Sequence, residues 1–205
     1  MPKKIELMER GRKKRQTHPV YVIVCEGKKT EPIYFDNFRQ RNRPIQIEIL
    51  TGAAGKSYEA IIKEATAAKK KYITGLENGG ELWCVSDVDG VTTLQLDKYK
   101  KDAKAIGAKI ALSNPCFELW YYLHFAYTTA TIKNYGELVK KLPKVLQPYA
   151  KEENIYHKLK DSENTAITNA KKLEAHHKAE GRQDCLDIQV LPYTSVYKLV
   201  EKLRR

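Results

Sequence analysis

One stretch constrains the fold more than any other: VYVIVCEG, residues 20–27. Its apolar and mostly β-branched residues run without polar interruption and stop at an acid and a glycine. A short run of this kind, bounded by a turn signal, reads as a strand buried on both faces, as in a parallel sheet. In open parallel sheets, ligands gather beyond the carboxyl ends of the strands. Glu26 therefore stands where such a fold does its chemistry. Residues 82–86 form a second run of the same kind and lead into Asp87-Val88-Asp89-Gly90.

The segments between these runs alternate in period. After the first strand, Lys28-Lys29-Thr30-Glu31-Pro32 offers a cap at Thr30 and a proline tolerated in a first helical turn. Ile33, Tyr34 and Phe38 follow at helical spacing. At 45–50, Ile45, Ile47 and Ile49 alternate with Gln46 and Glu48, a strand signature. The loop 52–57 then opens a helix carrying Ile61, Ile62, Ala65, Ala68 and Tyr72. After the strand at 82–86, a helix near 96–106 leads to a fourth strand at 108–112. Strand-then-helix repetition predicts an α/β fold, with a mainly parallel four-stranded sheet and right-handed crossovers through flanking helices. Beyond Ser113 the pattern is helical: FELWYYLHFAY, then 131–142, 163–180 and 194–204, with one weak strand candidate at 188–191. The chain divides on this reading into a basic leader (1–18), an α/β core (19–114) and a C-terminal helical extension packed on the core (115–205).

Lys and Arg number 37 against 25 Asp and Glu, a net charge of +12 over 205 residues. Such an excess favours polyanionic partners, of which nucleic acid is the commonest. The leader concentrates it, with Arg12, Lys13, Lys14 and Arg15 in sequence, and it can clamp phosphates or remain a solvated tail. The cysteines, at 25, 84, 116 and 185, form no CxxC pair. That argues against a zinc knuckle and for a reducing, cytoplasmic setting. No run approaches the ~20 apolar residues of a membrane span.

Asp87 and Asp89 are alternate residues, so on an extended chain they point the same way. With Glu26 on an adjacent strand, three carboxylates converge. At ~5 Å and an effective dielectric of ~20, each ionised pair repels by roughly 3 kcal/mol. Protonation, a basic neighbour or a hard cation must offset that. Oxygen-only ligands suit Mg²⁺ or Mn²⁺, which retain waters and accept phosphate oxygens. The alternative is that DVDG is only a turn. Glu118 follows the fourth strand closely and is either a further ligand or proton-transfer group, or an acid favoured by a helix's first turn. Ser113 and Asn114 can bind phosphate or cap that helix. Lys28, Lys29 and Lys56 are candidate phosphate contacts. Leu50 stands where a P-loop needs its first glycine, which excludes that motif. His124 reads as a buried core histidine, His176 and His177 as solvated, and Trp120, Tyr121 and Tyr122 as core.

The strand–Glu26–Gly27 and strand–Asp87-x-Asp89 pair resembles the Toprim domain of topoisomerases, primases and OLD-type nucleases. CEGKKTEPIYF (25–35), DVDG (87–90), SNPCFELWYYLHF (113–125) and YTSVYKLVEKL (193–203) more closely resemble the RloB family. These are Toprim-like proteins of phage defence by abortive infection, often encoded beside an ATPase, RloA. The resemblance implies that Glu26 is a metal ligand or general base and that Asp87 and Asp89 form the metal-binding DxD. It further implies that Glu31 matches an acid able to ligate a second metal. It points to a divalent-metal-dependent nuclease of DNA or RNA, cytoplasmic, controlled by an ATPase partner and open to homo-oligomer formation. The rival from another class is a non-catalytic Toprim-like module that binds nucleic acid or nucleotide and signals to a partner.

Overall fold

The structure, a computed structural model, describes residues 18–39, 44–52 and 57–204. Among these residues lie strands β1 (Val20–Cys25), β2 (Gln46–Thr51), β3 (Glu81–Asp87), β4 (Lys109–Asn114) and β5 (Tyr193–Thr194). They form one sheet in the order β2-β1-β3-β4-β5. Strands β1 to β4 run parallel, and β5 pairs antiparallel with β4. The expected four-stranded sheet is thus corrected to five strands. Two residues from the far end of the chain close the edge that β4 would otherwise leave open, as exposed edges generally require. Ser113 Oγ lies 3.0 Å from Thr194 Oγ1, and Ser195 N donates to Leu112 O at 2.9 Å. A two-residue strand carries no alternation to read in advance. The weak candidate at 188–191 is instead a loop that presents carbonyls to the sheet: Asn114 Nδ2 donates to Ile188 O and Val190 O. Ser113 and Asn114 therefore serve the sheet edge, and neither caps a helix.

The helices are α1 (Thr30–Asp36), α2 (Tyr58–Lys71), α3 (Ile73–Glu77), α4 (Thr93–Ile106), α5 (Glu118–Leu123), α6 (Tyr135–Lys141), α7 (Tyr156–Leu159), α8 (Glu163–Ala179) and α9 (Val196–Leu203). Two hydrophobic layers enclose the sheet. On one face Val20, Val22 and Val24 meet Ile61 and Ala65 of α2 and Leu96 and Tyr99 of α4. On the other, Ile23 and Cys25 meet Tyr34 and Phe35 of α1, Trp120 of α5, Ala166 of α8 and Leu199 of α9. Burial on both faces is why β1 is apolar at every position. Local signals set the helix limits. Ser57 Oγ accepts from Ala60 N at the start of α2, and α4 runs from a Thr92–Gln95 capping box to Gly107 in the left-handed conformation.

The chain leaves β1 to one side for β2, then crosses back for β3. β1 and β3 are therefore neighbours whose connections diverge. This is the switch point at which doubly wound sheets open a crevice beyond their carboxyl ends.

Candidate functional site

Glu26 and Asp87 flank that crevice. Glu26 N donates to Val85 O at 2.9 Å, which keeps the residue after β1 in register with β3. In return Asp87 N donates to Glu26 Oε2 at 3.1 Å, so the Glu26 carboxylate is aimed at the end of β3. The chain then turns tightly. Gly27 N donates to Glu31 Oε1 at 3.3 Å, four residues on in the first turn of α1. A Cβ at position 27 would lie 2.3 Å from Glu31 Oε2, so only glycine leaves that carboxylate its place. Glu118, at the start of α5, enters from the opposite side and accepts from Tyr149 Oη at 2.9 Å. Glu31 and Glu118 are both buried, at 5 % and 2 % exposure. Thr30 is the first residue of α1 and does not cap it; its hydroxyl donates to Lys151 O at 3.5 Å.

A cavity of 540 Å³ is lined by Glu26, Glu31, Asp87, Asp89 and Glu118, with Lys28, Lys29 and Lys151. Five of the acids singled out from sequence and two of the lysines thus share one cavity. Asp89 is exposed at its mouth. Lys29 is ion-paired with Glu152. Arg12, Lys13, Lys14, Arg15 and Lys56 lie outside the described residues. Sequence reasoning missed Lys151, Tyr135 and Tyr149, which arrive from the helical half with no motif around them. His124 is buried, Nδ1 2.8 Å from Trp120 O, and burial holds its pKa down to about 4. His177 is buried too, Nε2 2.7 Å from Pro192 O, and so is not the solvated residue that its charged surroundings suggest.

A family model described as RloB-like protein matches residues 21–203. The chain belongs to the RloB-like family. No curated protein and no solved structure matches it. Among its described residues, no helix is long and apolar enough to cross a membrane.

The electrostatics of this RloB-like site are those of crowded carboxylates. Burial, with Glu118 and Glu26 nearby, pushes Glu31 up to about 7 against the helix and Gly27 N–H groups that favour its charge. Burial, then Glu31, Glu118 and Glu26, push Asp87 well above the usual carboxylate range, and Lys151 acts against them. Oδ1 of Asp87 is sealed from solvent and has no hydrogen-bond partner. An orphaned carboxylate oxygen among mutually repelling acids suits the chemistry of a hard cation. Among the described residues, no three His, Cys, Asp or Glu side chains are spaced to coordinate one ion together. Mg²⁺ needs no such trio, since it is commonly held by one or two carboxylates, with water and substrate phosphate completing its shell. The residues present therefore fit a divalent cation, with Asp87 and Glu26 as first choices for ligands, and Glu31, Asp89 and Glu118 around them.

Proposed function

We propose that this RloB-like chain is a divalent-metal-dependent nuclease, hydrolysing phosphodiester bonds of DNA or RNA. One observation carries the proposal. Acids from the ends of β1 and β3, from α1 and from α5 share a cavity in which burial and mutual repulsion push Glu31 and Asp87 above the usual carboxylate range. That arrangement costs folding energy and is explained by a cationic ligand. Mg²⁺ or Mn²⁺ would supply Lewis acidity toward a phosphoryl oxygen and lower the pKa of a water. Asp87 and Glu26 would hold such a cation, and the Glu26 carboxylate, oriented by Asp87 N–H, would also be able to take a proton from an attacking water. Glu31 lies beside both, placed for a second cation. Lys28 and the basic excess of the chain hold the strand.

The described cysteines are free and buried, in keeping with a reducing cytoplasm. The family resemblance supports a setting in antiphage defence by abortive infection, with an RloA-like ATPase restraining the activity. The test is cleavage of DNA and RNA by purified protein with Mg²⁺ or Mn²⁺, alone and with that ATPase. Cleavage should be lost in Glu26→Gln. Strand binding without cleavage, unchanged by Glu26→Gln, would sink the nuclease reading and favour a non-catalytic signalling module.

A further inference from the structure

We propose that Lys151 is a phosphate-binding residue of this site, carried on the ring of Tyr135 and receiving the backbone of a single nucleic-acid strand. The identity of the ligand rests on the nuclease reading; the placement of the charge does not.

Lys28, Lys29 and Lys151 line the cavity. Lys29 is committed to Glu152, and a paired lysine brings a phosphate little net attraction. Lys151 forms no ion pair with a carboxylate of the described residues. Its Nζ instead stands 4.1 Å from the centroid of Tyr135, itself a cavity residue. An aromatic face orients an ammonium for about 0.5–1 kcal/mol at an exposed site without neutralising it. The charge and its three donors stay available to a ligand. That charge reaches the acids: Lys151 opposes the upward push on Asp87.

The main chain under Lys151 is fixed. Its carbonyl accepts from Thr30 at the start of α1, and Tyr149 donates to Glu118. Glu152 pairs with Lys29, and Asn154 exchanges hydrogen bonds with Asn37. The lysine is thus pinned to both walls of the site while its ammonium is left unspent. A phosphate entering a cavity of carboxylates needs positive charge beside it, and Lys151 supplies it together with Lys28. A polymer suits the place better than a free nucleotide. The stretch 131–151 carries Lys133, Lys140, Lys141, Lys144 and Lys151 against the single acid Glu137.

The experiment measures binding of a short fluorescent single strand, RNA and DNA, with Mg²⁺ in the Glu26→Gln background. Lys151→Gln should weaken binding roughly tenfold, the loss of one charge-assisted contact. It should lower the slope of log affinity against log salt by about 0.7 for either strand. Lys151→Arg should restore both, and the melting temperature should not move. An unchanged slope in Lys151→Gln overturns the assignment. So does an equal fall in Lys151→Arg, which would make the residue structural. Cleavage by otherwise wild-type protein is scored separately. If cleavage is absent while the slope change persists, the nuclease reading fails and Lys151 stands as an anion contact.

Discussion

Replacing Asp87 by asparagine removes an acid whose charged form the fold disfavours, with no hydrogen bond at Oδ1 among the described residues and with Glu26, Glu31 and Glu118 around it. Without metal, Asp87→Asn should melt higher than wild type by on the order of 1 kcal/mol, about 2–4 °C for a chain of this size. Added Mg²⁺ should raise the wild-type melting temperature by ligand linkage and leave the variant's in place. Thermal melts in chelator and in Mg²⁺ check both; a variant that melts lower in chelator would make Asp87 a structural residue. Much of this site was legible residue by residue. Glu26, Asp87 and Asp89 stand just after or at the close of apolar runs, where a parallel sheet puts its ligands. Glu31 came from the family motif, and Glu118 from its distance to the fourth strand. Lys151 and Tyr149 were illegible because folding alone brings them to Thr30 and Glu118; no motif and no periodic run in the sequence around them marks either residue. His177 misled for a related reason. Its neighbours along α8 are charged, and only the return of the chain through Pro192 covers it.

At the scale of elements, Glu174 joins three of them. From α8 it accepts hydrogen bonds from Tyr193 of β5 and Tyr197 of α9, at 3.1 and 2.7 Å. Lys178 and Lys198 approach within 2.6 and 2.9 Å. Burial alone would raise its pKa, but the bonds from Lys178, Tyr197 and Lys198 outweigh it and bring the group down to about 2. The sign follows. An acid whose folded pKa is depressed stabilises the fold above its unfolded value, about 4.3, and loses that contribution as pH falls toward 2. Glu174→Gln should cost roughly 1–3 kcal/mol at neutral pH and flatten the stability profile between about pH 4.3 and 2. Urea titrations across that range measure it, and parallel profiles for the two proteins would show that the cluster does not carry the acid limb. The junction also shows where element reading fails. β1 and the central run of β3, residues 82–85, were recoverable because both faces are buried and those positions are apolar. β5 was not: its two residues are held by partners from β4 and α8, and its flanking loop is bound by the Asn114 amide.

For the whole molecule, the question is whether the helical half is an addition or a part of the core. One hydrophobic cluster takes Ile23, Cys25, Trp83, Val85 and Ala111 from the sheet, and Trp120, Ala166, Val196 and Leu203 from beyond it. Removing residues 115–204 would strip the cover from one face of β1, β3 and β4 and reopen the β4 edge. A fragment of residues 18–114 should therefore lack a cooperative melt and aggregate through that face and edge. The full chain should unfold in one calorimetric transition whose enthalpy equals its van't Hoff value. Two resolved transitions, or a soluble and cooperatively folded fragment, would refute this. The consequence for function is direct. Glu26, Glu31 and Asp87 come from the first half, and Glu118, Tyr149 and Lys151 from the second. A cavity walled by both halves exists only while the whole is folded, so metal response and strand binding should be lost at the same urea concentration as the fold.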